Sequence, residues 1–250
     1  MNQRIKRPII LFGDSVIDNS SYIRDGELDT VAWIEQCFND VVSHAVDGYK
    51  ITDVTESINR DWSNNSNAEI SILVSAGGND LLSYANNDAL LRGIDEPDMG
   101  CSLVSQDNMG MQSSLIRLDN REHQVVTNTL VNLSEILSDF EGAYASMLST
   151  LLDASFVPAH IWLCTIYDMK FPPGLAERKE IEAHYRFPVA LANGIIYKLA
   201  MGYGMRVLDL NKLAKDSGEK FYSNPIEPSS YGSMRIAHNL LHQLAPELIS

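Results

Sequence analysis

The chain has 250 residues, 45% of them hydrophobic and 21% charged, enough to bury one large core. Its 33 acidic residues against 19 basic ones give a net charge of −14, which argues against a nucleic-acid surface and disfavours docking on anionic lipid. Cys37, Cys101 and Cys164 are an odd, sparse set and no disulfide framework, the apolar run after MNQRIKR is too short for a signal peptide, and no stretch has the length of a membrane-spanning helix, so a reducing, cytoplasmic setting is expected.

Apolar runs of strand length alternate with segments of helical period. PIILF, residues 8–12, reads as the first strand and runs straight into Gly13-Asp14-Ser15. A helix is expected over Leu28 to Asn39, with Val31, Ile34 and Phe38 on one face. Asp40 to Val46 reads as the second strand and is followed at once by Gly48. Thr52 to Trp62 reads as a helix that packs through Val54 and Ile58. Glu69 to Ala76, rich in β-branched residues, is the third strand, and Gly77-Gly78-Asn79 follows it. A helix is expected over Leu81 to Leu91.

Gly93 to Arg121 carries scattered Gly, Asp and Met without periodicity, the pattern of an insertion or lid. Val125 to Leu152 reads as a long helix. His160 to Asp168 reads as the fourth strand, and the FPPG after it (Phe171 to Gly174) as a rigid loop on the same rim. Glu177 to Met201 reads as a helix that Pro188 should kink or break. Met205 to Leu210 is the fifth strand, and Ser230 to Leu248 the closing helix. Short apolar strands separated by helices predict an α/β fold, a five-stranded parallel sheet with helices on both faces. Sites in such sheets lie beyond the carboxyl ends of the strands, which puts Ser15, Gly48 and Asn79 on one rim.

Taken together, FGDSVIDN with Ser15, AVDGYKITDV with Gly48 and GGND with Asn79 resemble, in order, the blocks of the SGNH hydrolases, the GDSL-like lipase and acylhydrolase family. The resemblance runs from residue 9 to about residue 240. It implies one flavodoxin-like three-layer domain over residues 1–250, with the 93–121 segment inserted, and hydrolysis of a small-molecule ester through an acyl-enzyme on Ser15. It implies no cofactor and no metal. The oxyanion donors would be the backbone N–H groups of Ser15 and Gly48 and the amide of Asn79. Asp14 would shape the turn rather than move protons.

One block departs from the pattern. The family carries DxxH before its last helix, with the Asp orienting a His that activates the serine. Here the stretch is SNPIEPSSYG, in which Pro228, Ser229 and Gly232 fit, but Asn224 stands in place of the Asp and Glu227 in place of the His. Three readings follow. Glu227 is the base, with burial raising its proton affinity above the ordinary carboxylate range. A histidine comes from elsewhere, His123 beside the irregular segment being the candidate, with His44, His160, His184, His238 and His242 read as core, edge or helix-surface residues. Or the site has ceased to turn over esters and the fold serves as a binding module. His238 and His242 have the i, i+4 spacing of a metal pair but lack the HExxH glutamate and a third ligand, and so read as a helix face. Oligomeric state is not legible.

Overall fold

The structure is a computed structural model that describes residues 5–61, 69–87, 121–170 and 179–248. The insertion expected over 93–121, the FPPG loop, Cys101 and Trp62 fall outside the described residues, as does the side chain of His123.

Five short strands form one sheet: β1 (Ile9–Phe12), β2 (Val41–Ser43), β3 (Ser71–Val74), β4 (Ile161–Cys164) and β5 (Arg206–Leu208). Their order is β2-β1-β3-β4-β5 and every pairing is parallel, with Ile9 opposite Val41 on one side and Ser71 on the other. This is the doubly wound α/β arrangement, with helices on both faces, that the alternating pattern predicts.

Alternation along each strand feeds two cores. Ile10, Phe12, Ile72, Val74, Ile161 and Leu163 point to one face, and Ile9, Leu11, Leu73, Trp162, Cys164 and Leu208 to the other. The first face is covered by α2 (Ile51–Asp61), α4 (Arg121–Asp153) and α5 (Lys179–Tyr203), with Leu81 of α3 (Gly78–Asn87) joining them. The second is covered by α1 (Thr30–Cys37), α6 (Leu210–Ser217) and α7 (Ser230–Leu248). Because both faces are covered, the central strands β1, β3 and β4 are fully buried and apolar but for Ser71. Each large side chain buried this way contributes about 1.5–3 kcal/mol. β2, at the edge, is half exposed.

The second and fourth strands are shorter than expected, Val41–Ser43 rather than Asp40–Val46 and Ile161–Cys164 rather than His160–Asp168, and two further expectations need correction. The fifth strand ends at Leu208, not Leu210, and the segment after it forms a helix that the strand-like run MRVLDL hides. Asp209 caps α6 by accepting from the Lys212 N–H at 2.9 Å, Leu210, Leu213 and Ala214 are buried, and Gly218 at φ +60° ends the helix. Pro188 does not break α5, which runs through it. Proline removes one helical hydrogen bond, and the burial of Ala192, Ile196 and Ala200 in the turns beyond it offsets that loss.

Helix starts and strand ends are tied together at one end of the sheet. The Val46 N–H donates to the Gly13 carbonyl at 3.0 Å, and the Ser75 N–H to that of Phe12 at 3.0 Å. Asp80, in the first turn of α3, accepts from the Ile51 N–H that opens α2 at 3.1 Å. The turns after β1, β2 and β3 are therefore sewn to one another at the point where the strand order reverses, between β1 and β3.

Candidate active site

The turn after β1 is shaped by Asp14. Its carbonyl accepts from the N–H groups of Ile17 and Asp18, both at 3.0 Å. Its carboxylate accepts from the Val16 N–H at 3.2 Å and from Ser75 Oγ at 2.8 Å, which binds the turn to the end of β3. Gly13 is required here because a Cβ would lie 2.6 Å from the Ser75 carbonyl oxygen. Asp14 is buried, and that burial pushes its carboxyl up to about 6 despite the Ser75 and Val16 hydrogen bonds.

Ser15 is presented at the top of this turn, itself buried. Its Oγ donates to Glu227 Oε1 at 2.9 Å. Among the described residues Glu227 is its sole side-chain partner. Glu227 is 3% exposed, and its second oxygen, Oε2, is buried without a hydrogen-bond partner. Burial raises the Glu227 carboxyl from 4.5 to about 7. The Ser15 hydrogen bond opposes the rise, and the charges of Asp14 and Asp47 add to it.

The loop that carries Glu227 is held at several points. Asn224 Oδ1 accepts from the N–H groups of Ile226 at 2.9 Å and Glu227 at 2.8 Å, a side-chain turn that aims the loop inward. Asn224 thus shapes backbone, and it makes no contact with the Glu227 carboxylate. The Ser223 N–H donates to the Glu227 carbonyl at 2.9 Å. Tyr167, just past β4, donates its hydroxyl to the Ile226 carbonyl at 2.7 Å and packs edge-on against Phe221 and Tyr222. The Lys170 N–H donates to the Pro225 carbonyl at 2.7 Å. A buried node secures the other side: Asn19 Nδ2 donates to the Pro228 carbonyl at 3.0 Å and to Ser233 Oγ at 2.9 Å, while Asn19 Oδ1 accepts from the Thr30 N–H at 2.9 Å.

Gly48 lies in the turn between β2 and α2, and Asn79 in the first turn of α3. Gly48 adopts φ +81°, a left-handed conformation that favours glycine. Asn79 Nδ2 donates one N–H to the Tyr49 carbonyl at 2.9 Å, which docks the start of α3 on the turn containing Gly48. Among the described residues, the backbone N–H groups of Ser15 and Gly48 and the second N–H of the Asn79 amide have no acceptor.

The histidines whose side chains are described lie elsewhere. His44 stacks on Phe12 with Nδ1 3.4 Å from Asp61 Oδ2, and His160 precedes β4 at the opposite end of the sheet. His238, on α7, packs edge-on against Trp33. His238 and His242 have no metal-binding company, and among the described residues no cluster of His, Cys, Asp and Glu is arranged to hold an ion. Cys164 is a buried core residue, as its apolar run suggests.

Sequence reasoning missed four neighbours of this site: Ser75, Tyr167, and the pair Tyr22 and Asp47. Tyr22 donates its hydroxyl to Asp47 Oδ2 at 2.7 Å, and the Asp47 N–H donates to Asp18 Oδ2 at 3.0 Å. Asp47 and Asp18 stand one residue before Gly48 and three after Ser15, and that proximity in sequence was the available signal.

The parallel 2-1-3-4-5 sheet puts the serine turn after β1 and the start of α3, with Asn79, after β3, and solved structures share this α/β fold over almost their full length. Phospholipase A1 from Streptomyces albidoflavus is 13% identical, with 96% of this chain and 99% of that one covered at a TM-score of 0.58. An acetyl xylan esterase, AlAXEase, is 14% identical, covering 95% and 99% at 0.58. The lipase/acylhydrolase from Enterococcus faecalis is 11% identical, covering 96% of each chain at 0.55. At such identities the likeness is one of fold. No protein-family model and no curated protein matches the sequence. Among the described residues, no helix is long and apolar enough to cross a membrane.

Proposed function

We propose that this chain is a carboxylic ester hydrolase in which a buried serine–glutamate dyad, Ser15 and Glu227, replaces the usual serine–histidine pair. The observation that carries the reading is the 2.9 Å hydrogen bond from Ser15 Oγ to a carboxylate held near neutrality. An ordinary glutamate, near 4.3, is a poor base for a hydroxyl, whereas one near 7 combines useful basicity with a large ionised fraction at physiological pH. The solved structures of this fold named above as esterase, lipase/acylhydrolase and phospholipase support the reaction class.

In the acylation step Ser15 Oγ attacks the ester carbonyl carbon while its proton passes to Glu227 Oε1. The carbonyl oxygen becomes an oxyanion, and the uncommitted N–H groups of Ser15, Gly48 and Asn79 are the donors available to it, each worth about 3 kcal/mol when aligned. Collapse breaks the bond to the leaving oxygen, which takes the proton from Glu227. Water then attacks the acyl-Ser15 ester, delivering its proton to Glu227; the acyl–Oγ bond breaks, Glu227 passes that proton to Ser15 Oγ, and the acid is released. Asn224 does not take the orienting role of the family's Asp. Its place is taken by the backbone clamps of Tyr167 and Lys170 on residues 225–226.

Incubation with p-nitrophenyl acetate or a fluorophosphonate, followed by mass spectrometry of the peptide containing Ser15, tests this directly. A covalent adduct on Ser15, abolished by Ser15→Ala, is the expected result. Absence of any adduct between pH 5 and pH 9 refutes the hydrolase and leaves a binding module on the same fold.

A further inference from the structure

We propose that the site takes esters that are neutral or cationic beside the scissile bond and turns away anionic ones, with the Asp47 carboxylate as the selecting group. The inference rests on Ser15 being the nucleophile and adds to that reading the class of substrate.

Residues 46–48 run alongside residues 13–15, fixed by the Val46 N–H bond to the Gly13 carbonyl. Asp47 is exposed on this rim, with its carboxylate steadied by the Tyr22 hydroxyl at 2.7 Å and its N–H on Asp18 Oδ2. Tyr22 is held in its neutral, donating form, since the Asp47 hydrogen bond pushes its phenol up to about 12. Glu227 bonds the Ser15 hydroxyl, Asp14 precedes that serine in the chain, and Asp18 and Asp47 are joined on the adjoining turns. Among the described residues no lysine or arginine forms an ion pair or hydrogen bond with any of the four. The charge of Asp47 is felt at Glu227, which places both within electrostatic reach of the reacting bond.

The Glu227 charge is also uncompensated among the described residues. Glu227 Oε2 is buried beside Ser15 with no donor of its own. The Ser15 hydroxyl is therefore the one hydrogen-bond donor to this carboxylate among the described residues. An anion placed here meets uncompensated like charge, so discrimination arises from repulsion as much as from attraction.

The test uses three aryl acetates of similar shape: 4-acetoxybenzoate (anionic), its methyl ester (neutral) and 4-acetoxyphenyl-trimethylammonium (cationic). Each is assayed at pH 8 and normalised to its rate with hydroxide. At low ionic strength, the neutral and cationic esters should exceed the anionic one in kcat/KM by about tenfold or more. The gap should shrink by threefold or more in 0.5 M NaCl, and again in Asp47→Asn, because screening and charge removal act on the same repulsion. Ser15-dependent turnover with the anionic ester within twofold of the neutral one overturns the charge selection and leaves the hydrolase standing. A gap indifferent to both salt and Asp47→Asn does the same. If none of the three is turned over in a Ser15-dependent way, both readings fall. The salt series needs only the wild-type chain, so the inference stays exposed even if Asp47→Asn folds poorly.

Discussion

Replacing Glu227 with glutamine should impair the chemistry and strengthen the fold at the same time, with a pH signature that separates the two effects. In the folded chain the carboxyl titrates near 7, against 4.5 ordinarily. Between those values the folded state holds a proton that the unfolded state has released. Stability therefore falls as pH rises through that window, and the loss is complete somewhat above pH 7. The displacement corresponds to about 3 kcal/mol. Glutamine keeps the volume and a carbonyl to accept from Ser15 but cannot ionise, so the penalty vanishes in the variant. Asp14, raised to about 6 by burial, contributes a slope of the same sign in both proteins, and it largely cancels in the comparison. Urea denaturation of Glu227→Gln and wild type at pH 5 and pH 8 measures the effect. The stability difference should move in favour of the variant by up to about 3 kcal/mol between the two pH values. Over the same interval kcat at pH 8 should drop by about 100-fold or more, the usual worth of a general base. Parallel stability–pH curves for the two proteins would refute the buried ionisation, and a kcat within threefold of wild type would refute the base.

In wild type, kcat/KM should rise with pH through about 7 as Glu227 loses its proton, and a profile flat from pH 5 to 9 would contradict its role. Asn79→Ala removes one oxyanion donor and should lower kcat by about 100-fold with KM little changed, as steady-state kinetics would show. Tyr167→Phe removes the hydroxyl that holds the Ile226 carbonyl. It should cost about 1 kcal/mol in denaturant melts and lower kcat more than it raises KM, with the pH midpoint displaced as the Glu227 loop loosens. Gly232→Ala would place a Cβ 2.3 Å from the Phe221 carbonyl oxygen, and a loss of about 3 kcal/mol is expected in the same melts.

The sheet was legible because its strands are short, apolar and set off by turn residues, so Ile9–Phe12 and Ser71–Val74 stand out without any partner being known. α6 escaped because its first buried residue, Leu210, continues the strand-like alternation of MRVLDL. Only the contact from Asp209 to the Lys212 N–H reveals a cap there. The continuity of α5 through Pro188 also depends on tertiary packing that local rules do not contain. At the candidate site, Ser15, Gly48 and Asn79 could be named because their blocks come in family-like order, each soon after an expected strand. The block around Glu227 could be located by its flanking prolines and glycine. What Asn224 does could not be read, since an asparagine in a loop serves equally as a partner or as a turn former, and only the two N–H groups on its Oδ1 decide. Tyr167 and Tyr22 were invisible because their contacts join segments with no shared pattern in the chain.

The hydrogen bond between Ser15 and Glu227 spans 212 positions of sequence, and the Asn19–Ser233 bond beside it spans 214. Neither bond can form until both ends of the chain are present, unlike the local Asn224 turn that shapes the same loop. The proposed Ser15–Glu227 dyad would therefore be assembled only after the segment that leads into α7 has been made and has docked.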